Sequence, residues 1–174
     1  MMAVFNREIN NCSKIDWSIL INGSISLYHD EHILQLDIEW LKNNQYESIV
    51  LDFDLIKCNE VFHKNIKSLC RFPEYYGENM SALSDCLQYD LKIPDEGGIA
   101  FVFKKFNLFY ESNQNIALDI LERFGEASRK RMLTGDRLIV LLQSDDPLFV
   151  PDVIGSHKIP WNRHEFVEKK RLKQ

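Results

Sequence analysis

The sequence has few of the features that mark several large classes of protein. Its 174 residues include four cysteines, five prolines and seven glycines. No stretch approaches the roughly 20 apolar residues of a membrane-spanning helix. The cysteines lie at positions 12, 58, 70 and 86, without the density or CxxC spacing of a disulfide scaffold or zinc site. The first eight residues lack the apolar core of a secretion signal, so we expect a cytoplasmic protein with reduced thiols.

The bulk composition is that of a globular protein. Hydrophobic residues make up 45% and charged residues 27% of the chain. At this length about 70% of the unfolded surface can be buried, which is enough for one self-sufficient core. With no internal repeat and no flexible linker, residues 1–174 are expected to form a single domain.

The charge is unevenly distributed. The net charge is −5, but residues 163–174 are basic, so the first 162 residues carry −8. An acidic surface repels phosphate backbones, which argues against direct nucleic-acid binding and favours a basic protein partner. A role in solubility alone explains the charge equally well.

The first half of the chain shows strand and helix patterns in turn. Residues 17–29 alternate around Asn22-Gly23, which predicts an antiparallel hairpin. Apolar residues between 33 and 41 have helical spacing, and a β-branched run within 46–54 predicts a buried strand. Asn59 is a candidate N-cap for a helix that ends near Cys70.

The second half continues the alternation. A short helix is predicted at 80–89, a turn at 94–98, a strand at 99–103, a long helix at 113–133 and a strand at 138–142. Residues 144–161 have no regular pattern, and Asn162 and Glu165 have capping-box spacing for a final helix. The whole pattern predicts an α/β fold with a small parallel sheet, to which the hairpin adds an antiparallel edge.

The segment between the second and third predicted helices has the composition of a shaped loop. Pro73 and Gly77 punctuate it, and Gly77 is expected to take a positive φ that lets the loop turn tightly. Asn79 is suited to cap the helix that follows. Of Tyr75 and Tyr76, we expect one to pack inward and one to remain available.

The residues from Phe72 to Leu87 read FPEYYGENMSALSDCL and resemble the barstar family of ribonuclease inhibitors. The element order from 48 to 142 also follows that family, and the flanking QSDDP and Trp161-Asn162 are similar to longer bacterial barstar-like proteins. The resemblance implies a barstar-like core at 47–143, with extensions at 1–46 and 144–174. It also implies that the protein binds and blocks a small basic ribonuclease or related toxin.

The resemblance further implies a set of partner-binding residues. Asp85 aligns with the principal carboxylate of the family, which stands in for a substrate phosphate, and Tyr75 and Asn79 match contact positions. The segment at 124–127 is similar to one bearing a second acidic contact, so Glu126 is either a partner contact or an ordinary surface acid. Ser81 and Ser84 stand where the best-known member has an acidic residue and a large aromatic, which makes the negative patch thinner.

Other chemistry finds little support in the sequence. Residues 29–32 read HDEH but bring no third and fourth ligand into view, and Gly97-Gly98 lacks the context of a phosphate loop. Cys86 lies on the apolar side of its predicted helix, as an inert thiol would. A hydrolase would need Asp85 and Glu126 close together in a deep pocket. We therefore expect no enzyme, metal, cofactor, membrane contact or small-molecule substrate, and the alternative function is a module of this fold that binds a protein other than a ribonuclease.

Overall fold

A computed structural model describes residues 14–154 and 157–172 of the chain. In these residues four strands form one sheet: β1 (Ile25–Tyr28), β2 (Tyr46–Asp52), β3 (Gly98–Lys104) and β4 (Leu138–Gln143). The order across the sheet is β1-β4-β3-β2, and all neighbouring pairs are parallel. The predicted α/β fold with a small parallel sheet is confirmed.

The helices alternate with these strands. They are α1 (Ile15–Ile21), α2 (Glu31–Asn43), α3 (Asn59–Cys70), α4 (Met80–Asp85), α5 (Phe106–Ser112), α6 (Gln114–Met132) and α7 (Glu168–Arg171). A π-helical turn at Cys86–Asp90 continues α4 without a break. Within the described ranges, no helix combines the length and the apolar character needed to cross a membrane.

Both faces of the sheet are apolar because its central strands are covered by helices on either side. One face packs against α3, α4, α5 and α6 through fully buried rings and aliphatic side chains such as Phe62, Leu83 and Phe124. The opposite face, with Ala100 and Val102, packs against α1 and α2. Phe124 lies edge-on to Phe101 and Phe103 at centroid distances of 4.7 and 5.1 Å, which fixes α6 across the sheet.

The predicted N-terminal hairpin is wrong. Residues 15–21 form α1, and β1 then pairs parallel with β4, so that Ile25 lies opposite Val140. Asn22-Gly23 ends the helix instead of joining two strands: the amides of Asn22 and Ser24 both donate to the carbonyl of Ile19. Gly23 takes φ +99°, a conformation that also suits a helix C-terminus, so the dipeptide signal does not distinguish the two structures.

The C-terminal segment packs against β1. The amide of Leu27 donates to the carbonyl of Pro160, and the amide of Asn162 donates to the carbonyl of Leu27. The predicted final basic helix is present as α7, but the predicted cap at Asn162 is wrong, because α7 begins only at Glu168. One bond of the predicted capping box forms: Asn162 Oδ1 accepts from the amide of Glu165 at 3.2 Å. The buried Glu165 carboxylate has a different role, because it accepts from the amides of His29 and Asp30 just before α2.

Other details concern an additional helix and the starts of two predicted helices. Helix α5 lies where no helix was predicted, and its buried Asn107 side chain accepts from the amide of Asp145 at 3.1 Å. Asn59 is the first residue of α3 and not its N-cap, a position held by Cys58. In residues 29–32, the Asp30 side chain caps α2 by accepting from the amides of His32 and Ile33.

Candidate protein-recognition surface

The loop between α3 and α4 is anchored at both of its ends. Arg71 ends α3 in the left-handed conformation, φ 53°, and Phe72 then points into the core with 6% of its surface exposed. The amide of Tyr76 donates to the carbonyl of Pro73 at 3.0 Å, which closes a turn on Pro73. The loop is thus fixed by backbone hydrogen bonds and by buried rings.

The two adjacent tyrosines divide as predicted. Tyr76 is 3% exposed, and its hydroxyl lies 2.5 Å from Nδ1 of the fully buried His63 on α3. Burial raises the pKa of Tyr76 above its ordinary value and lowers the pKa of His63, so both groups are neutral at pH 7. Tyr75 is 72% exposed and remains available for contact with another molecule.

Asn79 closes the loop onto α4. Its side-chain oxygen accepts from the amide of Ala82 at 2.9 Å, which confirms the predicted cap, and its amide group donates to the carbonyl of Gly77 at 3.1 Å. The prediction of a positive φ at Gly77 is wrong, because Glu78 takes that conformation with φ 50°. A Cβ at Gly77 would lie 3.0 Å from Asn79 Nδ2, so a larger residue there would require a small shift of the Asn79 side chain.

Asp85 lies at the junction of α4 and the π-helical turn, and it is exposed. The turn is closed by the amide of Leu91, which donates to the carbonyl of Cys86 at 2.8 Å. On the inner side Leu83, Cys86 and Leu87 are buried, and burial raises the pKa of the Cys86 thiol to about 12, as expected of an inert cysteine. Such π-helical turns are rare and often occur at functional sites.

Tyr75 and the π-helical turn are joined by a hydrogen bond. The Tyr75 hydroxyl donates to Asp90 Oδ1 at 2.7 Å, and this bond raises the pKa of Tyr75 to about 12. Asp90 therefore adds a second carboxylate to the surface that holds Tyr75 and Asp85. Asp90 could not be predicted from the sequence, because no sequence signal indicates the π-helical turn that determines where residue 90 lies.

Glu126 lies on α6, which packs against α4 and the π-helical turn. Its carboxylate is 3.0 Å from Lys130 Nζ and 3.8 Å from an Arg123 nitrogen. The hydrogen bond from Lys130 holds the pKa of Glu126 below its usual range. Lys130 also donates to Gln88 Oε1 at 3.0 Å, so it links Glu126 to the π-helical turn and partly neutralises its charge.

Ser81 and Ser84, which the resemblance places where larger side chains are expected, differ in environment. Ser81 is exposed and leaves the first turn of α4 without an acidic side chain. Ser84 is half-buried, and its hydroxyl oxygen is buried with no hydrogen-bond partner. Carboxylates near these serines are supplied by Glu74 and Glu78 in the loop, by Asp85 and Asp90 on α4 and the π-helical turn, and by Glu126 on α6.

Comparison with known proteins identifies the family of the central part of the chain. The family model described as "Barstar (barnase inhibitor)" matches residues 46–143, the range from the start of β2 to the end of β4. The chain belongs to the barstar family. It is also 35% identical over 79 residues to a Bacillus subtilis (strain 168) protein named "Putative ribonuclease inhibitor YrdF". That alignment covers 45% of this chain and 79% of the Bacillus protein.

One strand of the sheet lies outside the residues that the family model matches. Helices α1 and α2, strand β1 and the segment after residue 143 lie beyond the matched range. Strand β1 extends the sheet by pairing with β4, whose other neighbour is β3. The fourth parallel strand of the sheet therefore comes from residues that precede the matched range.

Proposed function

We propose that this chain inhibits a small ribonuclease by inserting the surface around Asp85 into the active-site cleft of the enzyme. The observation that carries the proposal is the exposed Asp85 carboxylate at the end of α4, within the range matched by the family model. The proposed surface consists of Tyr75 and Asn79 in the loop, Asp85 and Asp90 on α4 and the π-helical turn, and Glu126 on α6. No enzymatic activity is proposed, since barstar-family proteins act as inhibitors.

The chemistry of the proposal is phosphate mimicry. A ribonuclease cleft arranges Arg, Lys and His groups to hold a phosphate, and a carboxylate in that place gains charge-assisted hydrogen bonds. The loop is already ordered by the Tyr76–His63 and Asn79–Ala82 hydrogen bonds, so binding costs little conformational entropy. We accordingly propose a small basic ribonuclease or related toxin as the partner.

The positions of the acidic and basic side chains indicate which kind of ribonuclease would bind. Ser81 removes one acidic position, Lys130 neutralises part of the charge of Glu126, and Asp90 contributes a carboxylate near Tyr75. A ribonuclease whose basic groups are placed for Asp85 and Asp90 fits this pattern better than one that needs an acid on the first turn of α4. A protein partner other than a ribonuclease is the alternative, and it is separated by the experiment below.

The test is direct inhibition. The purified chain is mixed with barnase and with a panel of other small bacterial ribonucleases, and cleavage of a fluorogenic RNA is followed over a range of inhibitor concentrations. The proposal predicts stoichiometric loss of cleavage with at least one enzyme of the panel. Full cleavage with every enzyme, together with stable capture of a protein that does not cleave RNA, would favour the alternative function.

A further inference from the structure

The two edges of the sheet differ in how they are covered. At one edge, the C-terminal segment lies along β1: the amide of Leu27 donates to the carbonyl of Pro160 at 2.8 Å, and the amide of Asn162 donates to the carbonyl of Leu27 at 2.9 Å. At the other edge lies β2, whose only neighbour in the described sheet is β3. The edge at β2 is therefore the open one.

The backbone of β2 points away from the sheet at every second residue. Directly after the strand, the amide of Phe53 donates to the carbonyl of Lys104 at 2.9 Å, so the odd-numbered residues face β3. The amides and carbonyls of Ser48 and Val50 consequently point outward, and no hydrogen bond from the described residues reaches them. These four backbone groups form a template for another strand.

The open edge lacks the features that usually protect an edge strand. Natural sheets protect their edges with very short strands, with Lys or Pro, or with a β-bulge. Strand β2 is seven residues long, pairs with β3 in unbroken register and contains neither Lys nor Pro. Its two charged residues, Glu47 and Asp52, lie near its ends, and Val50 in between is 46% exposed. Such an edge favours pairing with a strand of another chain.

A second copy of the same strand is complementary to this edge. In an antiparallel pair with Ser48 of one copy opposite Val50 of the other, the two residues exchange both of their backbone hydrogen bonds, and a two-fold axis repeats the pair. The other opposed residues in this register are Ile49 with Ile49, Glu47 with Leu51, and Asp52 with Tyr46. Like charges directly opposite each other would destabilise the pair, and this register has none. We propose that two copies of this chain associate by antiparallel pairing of their β2 strands, which joins the two sheets into one.

Apolar surface beside the edge adds to the backbone hydrogen bonds. Ile49 and the 45% exposed Leu69 of α3 line a cavity of about 160 Å³ next to the first half of β2. A strand laid along the edge covers part of this apolar surface as well as the side chain of Val50, which favours association. Because one pair of strand edges makes a small interface, we expect a dissociation constant of about 10–500 μM.

The experiment is sedimentation velocity of the full chain at concentrations from about 1 μM to 1 mM, which bracket the expected dissociation constant. It is run at about 0.3 M NaCl, because the net charge of −5 on each chain opposes association at low salt. The proposal predicts that the sedimenting mass rises with concentration from that of one chain, 20.5 kDa, toward that of two.

Variants at one position locate the interface. Val50→Pro removes an outward amide that has no partner within the chain, and prolines are tolerated at such edge positions. Val50→Lys places a charge on the edge and keeps the amide, so it decides the question if the unfolding midpoint shows that Val50→Pro does not fold. Each variant should raise the dissociation constant of the dimer by about tenfold or more. The matched control is Val50→Thr, which keeps both the amide and the β-branched shape and should change the constant by less than about threefold.

Two results would overturn the proposal. One is a chain that stays monomeric over the whole concentration range, and the other is a dimer that Val50→Pro and Val50→Lys, both folded, leave as stable as before. Ribonuclease inhibition is measured on the same variants and should be unchanged, because Val50 lies outside the proposed inhibitor surface. The dimer and the proposed inhibitor function are therefore tested separately.

Discussion

The hydroxyl of Tyr76 lies 2.5 Å from Nδ1 of His63, beneath the loop that presents Tyr75. Both side chains are buried, and the other ring nitrogen of His63 has no hydrogen-bond partner. Phe72 packs against the same Tyr76 ring at a centroid distance of 5.1 Å. This pair ties the loop between α3 and α4 to α3 and, through α3, to the sheet.

Removal of the Tyr76 hydroxyl should destabilise the fold. Tyr76→Phe leaves Nδ1 of His63 without a partner, and we expect the free energy of unfolding in urea to fall by about 1–3 kcal/mol. The matched control is Tyr75→Phe, which removes the exposed hydrogen bond to Asp90 and should change stability by less than about 0.5 kcal/mol. Equal effects of the two changes would show that the buried pair contributes nothing particular.

The same histidine predicts a pH dependence of stability. Burial lowers the pKa of His63 below 6.5, so the unfolded chain takes up a proton at a higher pH than the folded protein does. His63 therefore costs no stability above pH 6.5. Stability is lost as the pH falls from 6.5 toward the folded-state pKa, with a slope of at most about 1.4 kcal/mol per pH unit for one proton.

Urea unfolding at pH 7.5, 6.5 and 5.5 measures this slope. His63→Asn should flatten the dependence between pH 6.5 and 5.5 relative to the unchanged chain. The exposed His32→Asn on α2 is the matched control and should keep the dependence. If His63→Asn retains the full slope, another group is responsible for it.

Asn79 should contribute to stability as well as to the proposed surface. Its side chain caps α4, and Asn79→Ala is expected to lower the free energy of unfolding by about 0.5–2 kcal/mol. Ser81→Ala, two residues further on and exposed, should change it by less than about 0.5 kcal/mol. A cap that contributed nothing would make the two variants indistinguishable in chemical unfolding.

Lys130 should slow association with a basic ribonuclease. It holds the Glu126 carboxylate at 3.0 Å, so Lys130→Gln exposes the negative charge of Glu126 on the side of α6 next to the π-helical turn. We expect a severalfold faster association rate at low salt in stopped-flow measurements, and little change at high salt. Lys42→Gln removes the same charge from α2 on the opposite face, and an equal acceleration by that control would contradict a local effect.

Much of this fold was predictable because the relevant signals are local. The central strands are continuous apolar runs such as Leu138–Leu142, and α6 follows one long apolar periodicity. The prediction of an N-terminal hairpin was wrong because Asn22-Gly23 suits a helix end as well as a hairpin turn. The burial of Ile19 and Leu20 in the core favours the helix. Parallel pairing of β1 with β4 depends on contacts more than 100 residues apart, which no local pattern encodes.

The candidate site was predictable to a similar extent. Residue types and spacing predict the cap at Asn79 and that one of the two adjacent tyrosines is buried, but not which one. They do not predict the positive φ at Glu78 and the role of Asp90, because these depend on the π-helical turn and on how the loop closes. The involvement of Glu126 with Lys130 and Gln88 likewise appears only when α6 is placed beside that turn.

The most direct test of the account is the inhibition constant of Asp85→Ala against a ribonuclease that the unchanged chain inhibits. Truncating a charge that is buried against basic groups in a complex costs about 2–5 kcal/mol, so we predict inhibition at least thirtyfold weaker with an unchanged unfolding midpoint. Glu39→Ala, which removes an exposed acid from α2 on the opposite face, should inhibit as well as the unchanged chain. An Asp85→Ala protein that is folded and inhibits with undiminished strength would contradict the central claim.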